Sequence, residues 1–347
     1  MIFVKKAMFA ILLAAAMILC GCGEAAGSYV NLASVPNVGY QVEADNAGNL
    51  YYLGSDAIFL VNGSEKMLFA EATDILPYMG DRRVDAAEIY VAEWYEGKFY
   101  IWDDRDDGIW EYDPAAGTSE QLLVEFEIVF EGGLAPIVNT LLAYNGQLYI
   151  GVGTHTLRRY DMETHTTTSY DIESPDIFDN YFRFRAVDEH AMYFSKNRTA
   201  WKIDIASGEH TDFDVSFIRE TDDVIFSQMF LDGHGDIYYT TTNARGDDIA
   251  IKNGEVALWR GTTDNSAPCE RIDLPTVPEK FLFDYDGWLY YRDADSIWRY
   301  DMKKERAEMF MTLPGGRLIL LDGKIYTQDD NSLPHEYAIL TDLDALD

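Results

Sequence analysis

The sequence predicts an all-β chain in which seven four-stranded units close into a ring. Three observations lead there. First, an aliphatic or aromatic residue followed by tyrosine returns seven times after a turn: Leu50-Tyr51, Phe99-Tyr100, Leu148-Tyr149, Met192-Tyr193, Ile237-Tyr238, Leu289-Tyr290 and Ile325-Tyr326. Second, successive tyrosines lie 36 to 52 residues apart, the period of a four-stranded β-propeller blade. Third, short runs alternate apolar and polar residues between corners of Gly, Asn and Asp, and no run after the amino-terminal leader keeps a helical period.

Each unit reads as four strands. An apolar strand opens it, as in "NTLLAYNG" (139–146) and "KFLFDYDG" (280–287). Its closing Asn-Gly or Asp-Gly supplies the positive φ of a tight hairpin. The second strand carries the tyrosine, as in "QLYIGV", "WLYYRD" and "KIYTQD". The third is the phrase "IWEYD" (109–113), "LRRYD" (157–161), "AWKID" (200–204), "ALWRG" (257–261) or "IWRYD" (297–301). A fourth closes the unit: "TSEQLLV", "TTTSYDI", "HTDFDV", "CERIDL", "AEMFMTL". The last unit offers only three, "RLILLDG", "KIYTQD" and "EYAILTDL", whereas residues 28–37, "SYVNLASVPN", look like the fourth strand "ERIDLPTVPE" (270–279). The amino-terminal strand is therefore expected to complete the last blade and remove its unpaired edge. The repeated Tyr and Trp are expected to fill the wedges between blades.

Residues 1–21 read as an export signal: Lys5 and Lys6, then an apolar run from Ala7 to Leu19 too short for a membrane span. The run ends in Leu19-Cys20-Gly21-Cys22, which resembles the lipobox of bacterial lipoproteins. The resemblance implies cleavage after Gly21 and acylation of Cys22 with chains such as palmitate, which would anchor the protein in a lipid bilayer on its extracytoplasmic side. Residues 22–27 would form a short tether and 28–347 one propeller domain. Cys269 is the only other cysteine left after cleavage, so no disulfide framework is expected.

The chain carries 60 acidic and 27 basic residues, a net charge of −33. Such a surface repels phosphate backbones, which excludes nucleic acid as a partner. Its 48% hydrophobic and 14% aromatic content excludes a disordered acidic chain.

With these features the chain looks like a seven-bladed β-propeller lipoprotein of the broad group that includes TolB-like, NHL-like and quinoprotein-dehydrogenase-like propellers. "DNAGNLYY" (45–52) and "DGHGDIYY" (232–239) are similar to the turns of NHL-type blades. "YDPAAGTSEQL" (112–122) and "IDIASGEHTDF" (203–213) are similar to those of quinoprotein blades, but Leu122 and Phe213 stand near the place of the docking tryptophan, which argues against a quinone cofactor. Propellers serve many functions, so the fold alone selects none.

No motif marks an active site. A Gly-x-Ser-x-Gly elbow is absent, and the six histidines show no metal-binding spacing. No residue pattern favours an enzyme over a binding module, and no resident cofactor is expected. Calcium is the one metal to weigh: "DDRDDG" (103–108) gathers Asp103, Asp104, Asp106 and Asp107 around Arg105, though without the alternate spacing of a calcium loop, and "RDADS" (292–296) holds the equivalent place in another blade. The connections between second and third strands, and between blades, gather on one face of a propeller. Here they include residues 70–87, 103–108, 125–137, 243–254, 292–296 and 327–334, and they offer Tyr78, Arg82, Arg83, Asp103, Asp104, Arg105, Arg245 and Arg292 as ligand-binding candidates. The expected function is a lipid-anchored binding or scaffold module for a cell-envelope glycan, peptide or protein. The alternatives are a carboxylate-based, calcium-assisted enzyme on an extracellular small molecule or polysaccharide, and a structural envelope protein.

Overall fold

The computed structural model describes residues 28–31, 42–44, 49–53, 57–62, 65–76, 91–103, 108–122, 138–152, 156–172, 183–218, 223–312, 317–321, 323–328 and 337–346. They form a seven-bladed β-propeller of antiparallel sheets. Strand β1 (Tyr29–Asn31) comes first. Blade 1 is β2–β5 (Val42–Ala44, Leu50–Leu53, Ala57–Asn62, Glu65–Glu71), followed by the one-turn helix α1 (Ala72–Ile75). Blade 2 is β6–β9 (Val91–Tyr95, Lys98–Asp103, Gly108–Asp113, Thr118–Leu122), and blade 3 is β10–β13 (Val138–Tyr144, Gln147–Val152, Thr156–Asp161, Thr166–Asp171). Blade 4 is β14–β17 (Arg183–Asp188, Ala191–Lys196, Thr199–Asp204, His210–Asp212). Blade 5 is β18–β21 (Val224–Leu231, Asp236–Asn243, Ala257–Thr262, Glu270–Ile272), with helix α2 (Asp247–Asn253) between its second and third strands. Blade 6 is β22–β25 (Lys280–Tyr285, Trp288–Arg292, Ser296–Asp301, Arg306–Thr312), and blade 7 is β26–β28 (Arg317–Leu321, Lys324–Gln328, Tyr337–Asp342). The first strands of neighbouring blades touch one another, so they line the axis.

The recurring dipeptide spans both walls of each blade. On a strand, successive side chains point to opposite faces. Tyr51, Tyr100, Tyr149, Tyr193, Tyr238 and Tyr290 enter the core shared with the following blade, while Phe99, Leu148, Met192, Ile237, Leu289 and Ile325 enter the core shared with the preceding one. Burying each such side chain stabilises the ring by about 1.5–3 kcal/mol. Tyrosine suits the position because its hydroxyl can find a partner across the wedge, as Tyr238 does by donating to the Met302 carbonyl of the next blade at 3.1 Å.

The Asp ending the third-strand phrase shapes the next turn. Asp113 Oδ1 accepts from the backbone N–H groups of Ala115 and Ala116, Asp161 Oδ1 from Glu163 and Thr164, and Asp301 Oδ1 from Lys303 and Lys304. Asp204 does the same with Ser207. Four residues after each Asp the backbone turns left-handed, at Gly117 (φ 63°), His165 (φ 55°), Gly208 (φ 73°) and Glu305 (φ 53°). These carboxylates serve the fold. A hydrogen bond from the Gln147 side chain, together with those from the turn, holds Asp161 down to about 2.

One expectation is overturned. The amino-terminal strand does not complete blade 7, whose sheet has three strands among the described residues. Instead β1 pairs antiparallel with β14 as a fifth, innermost strand of blade 4, with Tyr29 opposite Asp188 and Asn31 opposite Ala186. Innermost strands expose unpaired peptide groups towards the axis, and β1 satisfies them on two blades at once. Its backbone pairs with blade 4, while the Asn31 amide imitates a peptide group: Oδ1 accepts from Leu231 N (2.8 Å) and Nδ2 donates to Leu231 O (3.0 Å) on blade 5. Nδ2 also donates to Asp284 Oδ2 on blade 6 (3.0 Å), and Ser28 Oγ accepts from the Tyr144 hydroxyl on blade 3 (2.9 Å). Asn31 is 3% exposed. An asparagine on an outer strand would have no such buried partners.

Helix α2 is a second departure, since no helix is expected from the sequence. It is local: Ala250 packs into the core between blades 5 and 6, and Gly254 (φ 68°) caps the carboxyl end by donating to the Ile251 carbonyl.

Candidate functional site

The candidate residues belong to the interblade and second-to-third-strand connections, on the face opposite the tight hairpins. Of the residues expected to form a site, Tyr78, Arg82, Arg83, Asp104, Arg105, Asp106, Asp107 and the anchor Cys22 lie outside the described residues. Asp103 ends β7 at the edge of that loop. Among the described residues no group of three or more His, Cys, Asp or Glu could hold a metal ion. The second calcium candidate, "RDADS", is a self-satisfied turn. Asp293 accepts from the backbone N–H groups of Asp295 (3.0 Å) and Ser296 (2.8 Å) and from Trp298 Nε1 (2.8 Å).

Arg245 and Arg292 lie on this face but on different blades, and each faces a carboxylate. Arg245 Nη2 sits 2.7 Å from Asp223 Oδ2, and Arg292 Nε sits 3.7 Å from Glu279 Oε2. Pairs this exposed contribute about 0–1 kcal/mol each. They fasten connections to their neighbours. The Arg245 backbone N–H also donates to Asn243 Oδ1, and Asn243 Nδ2 to Glu255 Oε2, so the 243–254 insertion is tied at both ends.

Sequence reasoning missed the residues nearest the axis. Four successive first strands each contain one residue skipped by the pairing: Asn139, Arg185, Ser227 and Leu282. Such bulges re-aim a side chain and recur beside functional sites. In blade 4 the bulged residue is Arg185, half-buried beside the last described pair of β1. Its Nε donates to Ser195 Oγ at 2.7 Å, and Ser195 is itself buried. Burial, and after it the charge of Arg183, push the Arg185 guanidinium down to about 9. Lys196 and Arg198 follow on the adjoining strand and turn, with Arg198 Nε donating to the Val224 carbonyl at 3.3 Å. A usable signal was present: "RFRAV" puts two arginines in a first strand where "TLLAY" and "FLFDY" are mostly apolar.

Glu93, on the first strand of blade 2, is a buried carboxylate of this inner wall, as Asp284 is on blade 6. Its Oε1 accepts from the Ala143 backbone N–H of blade 3 at 3.3 Å. Burial pushes its carboxyl up to about 8, while the Ala143 hydrogen bond pulls the other way. Closed off and bonded across an interface, it joins two blades.

No protein-family model matches the chain, and no curated protein matches it. Among solved structures it is similar to the extracellular domain of BT4673 from B. thetaiotaomicron, with 12% identity and a TM-score of 0.53 over 91% of this chain and 40% of that one. It is also similar to the AfRom2 CNH domain, with 11% identity and a TM-score of 0.50 over 90% of this chain and 97% of that one. The chain thus spans about two-fifths of the BT4673 domain. At these identities the likeness shows a shared fold. No helix among the described residues is long and apolar enough to cross a membrane.

Proposed function

We propose that the protein is a lipid-anchored, extracytoplasmic binding module that engages a cell-envelope glycan, peptide or protein through its loop-bearing face. The observation that carries this reading is the course of β1. Ser28 meets Tyr144 beside the first hairpin of blade 3, and Tyr29 lies opposite Asp188 at the first hairpin of blade 4, so the chain enters the axis from the hairpin face. A tether joining Ser28 to an acylated Cys22 would have to reach the domain from that side. Six residues span at most about 20 Å. The hairpin face would then look towards the bilayer, and the loop-bearing face, with Arg185, Lys196, Arg198, Arg245 and Arg292, away from it. The likeness to a domain described as extracellular agrees with this location.

Two measurements test it. Cys22→Ser should move the protein from the membrane to the soluble fraction, and a variant that stays in the membrane removes the anchor from the proposal. Glycan and peptide arrays probed with the purified protein should give hits that weaken when the loop-bearing face is altered. A folded protein with no hit on either array would leave a structural envelope role.

A further inference from the structure

We infer that Arg185, backed by Arg183, is an anion site at the axis that takes the carboxylate of a small ligand. The inference rests on the binding reading above and names the chemistry of its ligand.

The bulge in β14 removes Arg185 from its ladder with β15 and places it next to Ala186, the last described partner of β1. Only its Nε is engaged, with Ser195 Oγ at 2.7 Å. The two Nη groups, the fork that matches a carboxylate in bidentate fashion, make no hydrogen bond among the described residues. Neither Arg185 nor Arg183 forms an ion pair there, in a chain with 60 acidic side chains against 27 basic ones. Arg260 and Arg299 elsewhere each hold a glutamate directly. A half-buried guanidinium beside a like charge is a poor contributor to stability and a good anion receptor.

The net charge of −33 narrows the ligand. A polyanion would meet repulsion over the whole surface, whereas a single carboxylate on a small molecule meets mainly the local field of two arginines. The fork accepts a sugar acid or an amino-acid carboxylate alike, so both sources belong in the test.

Full-length protein in detergent would be titrated with sodium glucuronate and with N-acetylglycine, with glucose as the neutral control and sodium chloride holding ionic strength constant. Thermal unfolding and calorimetry would be read together. Either carboxylate should raise Tm and give saturable heat, and glucose should not; which of the two binds more tightly identifies the source. Arg185→Met should weaken carboxylate binding at least about tenfold, and Arg183→Gln by less. Without ligand, Arg185→Met should melt no lower than wild type, because an unpaired charge has left a half-buried site. A structural arginine would give the opposite result, and a Tm several degrees lower in Arg185→Met overturns the site. Equal heats in wild type and Arg185→Met, or no heat from either carboxylate, overturn it as well. Array hits that persist unchanged in Arg185→Met would sink the anion site while leaving the binding module standing.

Discussion

Blades 4 and 7 are both expected to hold four strands, blade 7 by borrowing the amino-terminal one, yet one has five strands and the other three among the described residues. The difference is where the first strand went. On the outside of blade 7 it would have shielded one edge with its backbone alone. Inside the ring it pairs with blade 4, and one asparagine side chain adds the equivalent of a second pairing on blade 5 and a bond to blade 6. An inner position reaches more neighbours than an outer one. A three-residue strand can therefore contribute there what would take a longer strand at the rim.

The sharpest way to break this comparison is covalent. Val30 lies directly opposite Val187. Oxidised Val30→Cys/Val187→Cys should form the disulfide nearly quantitatively, read by mobility under non-reducing conditions, because directly paired residues have Cα atoms about 4.5–5.5 Å apart. A pair that stays reduced, while a Val30→Cys/Ala338→Cys pair closes, would return β1 to blade 7. Next in size is Asn31→Ala. It leaves the Leu231 peptide groups and the Asp284 carboxylate short of buried partners, and should cost about 3 kcal/mol in urea unfolding. A loss below about 0.5 kcal/mol would mean that the amide bridges nothing that matters. The smallest effect concerns blades 2 and 3, which β1 does not pair with. Glu93 binds its proton more tightly folded than unfolded. Its contribution is therefore complete below the unfolded carboxyl value and is lost as pH rises through about 8. Wild type should lose about 2 kcal/mol between pH 6 and 9, and Glu93→Gln should flatten that slope. Parallel slopes for the two proteins would place the alkaline loss elsewhere.

The ring was legible because its signal is periodic. Each Tyr and its apolar predecessor occupy opposite faces of one strand, and that alternation is local, so the seven units and most strand positions could be read directly. The destination of β1 was not legible, because "SYVN" has the alternation of any half-buried strand and pattern alone does not say which edge receives it. Asn31 was the hint: a polar residue amid apolar ones needs a partner when buried. Site residues were harder still. Arg245 and Arg292 look free in sequence and meet carboxylates from neighbouring connections, while Arg185 looks like an ordinary strand residue and is set apart by a bulge. Ion pairing depends on contacts between distant segments, and bulges on register, neither of which a single strand encodes.

The Asn31–Asp284 bond closes a sequence separation of 253 residues. The earliest part of the domain to be synthesised can take its final place only after the sixth blade exists. Until then the Asn31 amide lacks the last of its partners, so final consolidation is a late event of high contact order. Timing, as well as architecture, is set by those first few residues: the wheel acquires its hub last.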